Sequence, residues 1–258
     1  MSLMPGAEPF EFDGGPEAVA GVVLCHGFTG TPQSMRPWGE YLHDAGFSVS
    51  CPRLPGHGTR WQDMNVTRWQ DWYGELERTF DTMRARHDVV VVAGLSMGGT
   101  LTIRLAEERG TDLAGIVLVN PSLGTLRRDA VLLPLLSRVV PSFPGIASDI
   151  KKPGVAEVAY DRIPLRAMHS LSELWRIARA DLAQVTVPVR VYRSPEDHVV
   201  EPHSTDLLLA GISSTDVVET LLIESYHVAT LDNDAETIFA GSAEFARQLA
   251  CADTGPRR

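Results

Sequence analysis

Six apolar-rich runs, each short and each ended by a turn residue or a charge, constrain this chain more than any other feature. They are "GVVLC" (residues 21–25), "FSVSC" (47–51), "DVVVVAG" (88–94), "LAGIVLVN" (113–120), "VPVRVYR" (187–193) and "VVETLLI" (217–223). A strand with one wet face alternates apolar and polar residues, whereas a strand apolar at nearly every position needs cover on both faces. The intervening segments carry helical periodicity: residues 35–46 (ending at Gly46, a helix-stopping glycine), 69–86, 97–109, a stretch near 203–210, and 235–249. Apolar strands alternating with helices predict a mostly parallel sheet covered by helices on both sides.

One stretch breaks the rhythm. Residues 121–180 hold proline-punctuated apolar pieces ("AVLLPLLSRVVPSFPGI") and a helical segment ("SLSELWRIARA"), with no strand that would join the sheet. That is too long for a plain connection. It reads as a cap inserted into a core made of residues 10–120 and 181–250, with residues 251–258 expected as a disordered tail. The opening "MSL" before Met4 reads as a cloning remnant.

Composition removes several function classes. With 33 acidic against 23 basic residues, the net charge of −10 argues against nucleic acid, which calls for clustered Lys and Arg. The 3 cysteines, Cys25, Cys51 and Cys251, make neither a disulfide framework nor a metal-ligand spacing, which fits a reducing cytoplasm. The N-terminal stretch lacks the basic and apolar regions of a signal peptide, and no apolar run is long enough for stable membrane insertion. Neither a phosphate-binding G-x-G-x-x-G nor a metal-binding cluster is seen, so no cofactor is expected.

The chemistry is carried by "GLSMG" (residues 94–98), a G-x-S-x-G pattern. Alone it is common. Here "VVVV" precedes it and the helical "TLTIRLAEER" follows, the strand-to-helix context in which the serine sits on a strained corner with its hydroxyl exposed. Ser96 is therefore the expected nucleophile, and the N–H of Met97, at the helix N-terminus, an expected oxyanion donor. A serine needs a base, and in such folds an acid and then a histidine follow it along the chain, each on a loop after a strand. The loop "SPEDHVV" offers Asp197, with Glu196 as rival acid; "ESYHVATLD" offers His227 as base. His198 lies on the wrong loop for the base. The second oxyanion donor is expected from "CHGFTGTP", with Phe28 N–H the natural choice and Gly30 a rival. His26 and His57 (in "PRLPGHGT") read as structural; His43, His87, His169 and His203 receive no role.

Together "LCHGFTGTPQSM", "PRLPGHGT", "GLSMGG", "SPEDHVV" and "YHVATLD" resemble the α/β-hydrolase superfamily, and within it the small bacterial carboxylesterases and monoacylglycerol lipases. The likeness runs over nearly all of residues 21–249, cap included, and "HGFTGTP" and S-x-x-D-x-V-V are more specific than G-x-S-x-G. The resemblance implies an α/β-hydrolase fold with Ser96, Asp197 and His227 as triad, Phe28 and Met97 backbones as oxyanion hole, and a small-molecule ester or monoacylglycerol as substrate. It also implies that Glu157 in "AEVAYDRIPL" matches a cap glutamate near the glycerol end in bacterial monoacylglycerol lipases. The family often has Gly where Ser194 or Pro195 stands here, so that loop is expected to differ in detail.

Overall fold

The computed structural model describes residues 2–146 and 148–253. In chain order the elements are β1 (Phe10–Phe12), β2 (Gly21–Cys25), α1 (Arg36–Asp44), β3 (Ser48–Cys51), α2 (Trp61–Met64), α3 (Trp69–Arg84), β4 (Val90–Leu95), α4 (Met97–Arg109), β5 (Gly115–Val119), α5 (Leu133–Val139), β6 (Ser142–Pro144), β7 (Arg162–Pro164), α6 (Leu165–Asp181), β8 (Val189–Arg193), α7 (His203–Gly211), β9 (Val217–Leu221) and α8 (Ala235–Asp253). The central sheet has the order β1-β3-β2-β4-β5-β8-β9. Every pair in it is parallel except β1 with β3.

The valine run in β4 shows why the central strands are apolar throughout. Successive side chains of a strand point to opposite faces. Val90 and Val92 enter one buried cluster, with side chains of α3, α4 and α6; Val91, Ala93 and Leu95 enter another, with α1 and α8. Each such valine taken out of water is worth about 1.5–3 kcal/mol, so a charge on either face would be costly. At the end of α1, Gly46 takes φ +92°. Its N–H donates to the His43 carbonyl (2.9 Å) and the Phe47 N–H to that of Leu42 (3.1 Å), the paired C-terminal bonds of a glycine-stopped helix.

The last strand departs from the pattern. β9 forms an edge of the sheet, and Val218, Leu221 and the following Ile223 are exposed. An edge strand lies outside the overlap of the two helical layers, so its apolar residues are not covered as those of β4 are.

Residues 120–188 connect β5 to β8 and add no strand to the central sheet; β6 and β7 pair antiparallel with each other. The stretch is not uniform. α6 buries Leu171, Leu174, Trp175 and Ala178 in the same cluster as Leu76 of α3 and Leu101 and Leu105 of α4. It therefore packs as a crossover helix of the core layer. The part that stands off is the region around α5, where Leu126, Leu132, Leu135 and Ile146 are exposed and Val131 and Val139 reach 78% and 74% exposure. Residues 251–253, expected in the tail, belong to α8. α8 runs through Asp253 because Leu249 and Ala250 pack on the core and anchor its last turn. Residues 254–258 lie outside the described residues, as does Met1 of "MSL". Among the described residues no helix is long and apolar enough to cross a membrane.

Candidate active site

Ser96 alone separates β4 from α4, and the chain reverses there with φ 56° and ψ −115°. That is a conformation that turns reserve for glycine, so a residue with a Cβ is strained in it. The corner is held from both sides. The Ser96 N–H donates to the Val119 carbonyl (2.9 Å), and the Ser96 carbonyl accepts the N–H groups of Thr100 (3.1 Å) and Ser122 (3.3 Å). Two glycines are required by space. A Cβ on Gly94 would lie 2.2 Å from the Gly98 carbonyl oxygen, and a Cβ on Gly98 would lie 2.1 Å from that of Cys25. The first turn of α4 thus rests directly on the end of β2, where the next loop begins.

That loop brings Gly27 against the nucleophile: a Cβ there would sit 3.5 Å from the Ser96 Cβ. Phe28 follows Gly27 as Met97 follows Ser96. Among the described residues neither the Phe28 N–H nor the Met97 N–H has a hydrogen-bond partner. Two unpartnered donors flanking a buried serine are what an oxyanion hole requires. The side chains are occupied elsewhere, with Met97 in the core and the Phe28 ring edge-on to Trp72. His26 braces the loop. Its Nδ1 donates to the Gly27 carbonyl (3.0 Å) and its Nε2 accepts the Leu54 N–H (3.2 Å). Burial pushes this imidazole down to about 4, so it is neutral at physiological pH and suited to that tautomer. His57 packs edge-on to it, and its Nδ1 donates to the Pro55 carbonyl (3.1 Å). Both histidines are fully buried.

The acid and base loops meet each other. His227 Nδ1 donates to Asp197 Oδ2 at 2.7 Å. The other Asp197 oxygen accepts the N–H groups of Val199 and Val200, each at 2.8 Å, which fixes the carboxylate within its own loop. Both side chains are buried. Burial alone would lower the His227 pKa, but the Asp197 charge and hydrogen bond, joined by Glu157 and Asp149, outweigh it and hold the imidazole above its usual range. The rival acid Glu196 points away; its side chain is 58% exposed and paired with Lys151. His198 is 55% exposed and bonded to Asp149. With Nδ1 committed to Asp197, Nε2 is the His227 nitrogen left for chemistry.

Asn120 links these parts and could have been suspected from sequence, as a polar residue ending an apolar strand at the carboxyl edge of the sheet. It follows Val119, which holds the Ser96 N–H, and takes φ +44°. Its Nδ2 donates to the carbonyl of His227 (2.8 Å) and to Ser194 Oγ (3.1 Å), while its Oδ1 accepts the Ser194 N–H (2.8 Å). Ser194 is thus a tie between strand and acid loop. Its hydroxyl also donates to the Tyr226 carbonyl (2.8 Å).

Glu157 comes from the limb that returns from the insertion. A Cβ on Gly30 would lie 2.5 Å from Glu157 Oε1, so the carboxylate rests on the loop that carries Phe28. The residue as a whole is half-buried, but its carboxyl is enclosed, and desolvation pushes it up to about 7 against the opposing pull of His227 and of nearby Ser34. The limb is laced to the same loop: Thr31 Oγ1 donates to the Val158 carbonyl (2.9 Å), the Val158 N–H to Gln33 Oε1 (3.0 Å), and the Tyr160 N–H to the Thr29 carbonyl (3.1 Å).

This arrangement has counterparts. The family model Hydrolase_4, described as serine aminopeptidase, S33, matches residues 16–234. The chain belongs to this family. The Hydrolase_4 match runs from before β2 to beyond His227 and so takes in Ser96, Asp197, His227 and the whole insertion. The thermostable monoacylglycerol lipase of Bacillus sp. (strain H-257) is 42% identical over 248 residues, covering 94% of this chain and 95% of that protein. A solved structure from the pair LipS and LipT, two metagenome-derived lipolytic enzymes, superposes with a TM-score of 0.91 at 40% identity, covering 96% of this chain and 100% of that one. The monoacylglycerol lipase of Paleococcus ferrophilus, at 22% identity and a TM-score of 0.79 over 96% of this chain and 100% of that one, shares the fold. The fold is the α/β-hydrolase fold.

Proposed function

We propose that this Hydrolase_4 member hydrolyses carboxylic esters through an acyl-enzyme, with Ser96, His227 and Asp197 as its triad and monoacylglycerols as the substrate class. One observation carries the reading: an imidazole already held by its acid at 2.7 Å, on loops tied through Asn120 to the strand that holds the Ser96 corner. His227 Nε2 takes the proton from Ser96 Oγ as the oxygen attacks the carbonyl. Asp197 stabilises the imidazolium that forms, which is the state favoured by the raised His227 pKa. The oxyanion is received by the Phe28 and Met97 N–H groups, each worth roughly 3 kcal/mol in the transition state. His227 then protonates the departing alcohol, and a water activated by the same nitrogen releases the acid and restores Ser96.

The substrate class follows from the two ends of the site. Residues 121–164 act as the cap, offering apolar cover for an acyl chain. Glu157, beside Gly30 and Ser34, offers a polar group able to accept hydrogen bonds from the hydroxyls of a glycerol leaving group. The 42% identical monoacylglycerol lipase supports the same class. Cys25 and Cys51, buried thiols in neighbouring strands, suit a reducing, cytoplasmic setting.

The test is hydrolysis of p-nitrophenyl esters and monoacylglycerols of matched chain length by the wild type and by Ser96→Ala. Monoacylglycerol turnover with complete loss in Ser96→Ala is expected. Survival of activity in Ser96→Ala removes the nucleophile assignment. Cleavage of aminoacyl p-nitroanilides in preference to both esters would redirect the reading to peptide bonds.

A further inference from the structure

The limb that returns from the insertion crosses both loops that carry the acid and the base, and one side chain touches both. Asp149 is almost wholly buried, with 9% of its side chain exposed. Its Oδ2 accepts the His227 N–H and the His198 N–H, each at 3.1 Å. Its Oδ1 receives His198 Nδ1 at 2.8 Å, and its main-chain carbonyl accepts the Val228 N–H at 3.0 Å. The next residues extend the crossing. The N–H groups of Lys151 and Lys152 donate to Asp232 (2.7 and 2.9 Å), which also accepts the Tyr226 N–H (2.8 Å). Lys151 Nζ pairs with Glu196 and Glu224, one from each loop.

We infer that Asp149 is a positioning residue of the hydrolytic site, one carboxylate of the insertion that sets the His227 backbone against the acid loop and so fixes the reach of the imidazole. The inference rests on the triad reading. Its argument is geometric. Asp197 is held by N–H groups of its own loop, and that alone does not bring the base to it. What fixes His227 is a clamp on its main chain: Asn120 takes its carbonyl from the sheet side at 2.8 Å, and Asp149 takes its N–H from the insertion side at 3.1 Å. Asp149 also holds the residue after Asp197, so one carboxylate contacts both loops beside the His227–Asp197 pair. The same turn seats Glu157, whose N–H donates to Ser148 Oγ at 2.7 Å, with Ser148 itself at φ +58°. Base and alcohol-end carboxylate are thus placed by adjacent residues of one limb. The charged groups that face His227 are Asp197, Glu157 and Asp149, so removing Asp149 also removes one of three anions that favour the imidazolium.

The experiment compares Asp149→Ala and Asp149→Asn with wild type on a p-nitrophenyl ester, with Ser96→Ala and His227→Ala as controls. It adds the pH profile of kcat/KM and the downfield proton resonance of His227 Nδ1–H. A base misplaced by about 1 Å loses on the order of 100-fold, so Asp149→Ala is expected to lower kcat by about 10–100-fold with KM within about twofold. The downfield resonance is expected to weaken or vanish. Asp149→Asn keeps an acceptor but not the charge. It is expected to retain more of kcat and to move the acid limb of the profile to lower pH, and it decides the matter if Asp149→Ala does not fold. Wild-type kcat, pH profile and resonance in both variants would overturn the inference while inactive Ser96→Ala keeps the triad. A loss carried by KM alone, with the resonance intact, also overturns it. Activity surviving in Ser96→Ala or His227→Ala removes the triad itself and this inference with it.

Discussion

The strain at Ser96 can be weighed by two substitutions that remove the same hydroxyl. Ser96→Ala keeps a Cβ in a backbone conformation of φ 56°, ψ −115°, and so keeps the strain; Ser96→Gly relieves it. Relief of such a conformation is worth about 1–3 kcal/mol. Glycine's greater freedom in the unfolded chain offsets about 0.4–1 kcal/mol of that. The difference leaves Ser96→Gly more stable than Ser96→Ala by about 1.3 kcal/mol at the centre of these ranges, which for a chain of this size is a Tm higher by roughly 3–5 °C. Loss of the hydroxyl and its contacts is common to both variants and cancels. The assay is thermal unfolding by circular dichroism at one pH, with ester hydrolysis measured in parallel. Both variants should be inactive and only one should gain stability. Equal Tm values, or a lower Tm for Ser96→Gly, would refute the view that the corner stores strain in order to present its hydroxyl.

Other consequences follow from the same contacts. Gly98→Ala puts a methyl 2.1 Å from the Cys25 carbonyl oxygen, where backbone must move; a destabilisation of about 3 kcal/mol or more is expected, and a Tm within about 1 °C of wild type would contradict the close approach of α4 to β2. His227 must be neutral to act as base, and its pKa is held above the usual 6.5, so kcat/KM should rise with pH through a midpoint above that value; a midpoint below it would mean that burial, not Asp197, dominates. The stability that His227 gains from its partners is fully present below pH 6.5 and fades as pH rises through the raised value. Glu157 is raised from 4.5 to about 7, so its protonated form is the one the fold favours and wild type loses that advantage as pH climbs through 7. Glu157→Gln should therefore match wild type near pH 4.5 and exceed it at pH 8 by roughly 1–2 kcal/mol after solvent screening is discounted, while losing turnover of monoacylglycerols more than of p-nitrophenyl esters. Denaturant melts at the two pH values and the ratio of the two activities check both parts.

Much of the site was legible because its local requirements are written in residue types. Gly94 and Gly98 sit where any Cβ would meet backbone, and Ser96 sits between a wholly buried strand and a helix, so a short window predicts the corner. The order of Asp197 and His227 on loops after β8 and β9 was legible for the same reason. The preference for Asp197 over Glu196 came from the loop pattern alone, because neighbours in a loop differ only in direction. The fold turns Asp197 into His227 and leaves Glu196 in solvent with Lys151. That α6 packs against α3 and α4 was not legible, because an amphipathic segment does not say which surface it will cover. Asp149 gave no signal at all. A lone aspartate 48 residues before Asp197 and 78 before His227 has no pattern that ties it to either.

By itself, the sequence determined the sheet, the strand-to-helix corner and the residue types of the proposed triad, since each depends on side-chain polarity, period and space within a few residues. Only the tertiary structure decided which oxygen faces which nitrogen, which donors near Ser96 stay unpartnered, and how the insertion grips the loops of acid and base. Those are distances between segments far apart in the chain, and they are set by the packing of whole elements against one another, which no local run of residues encodes.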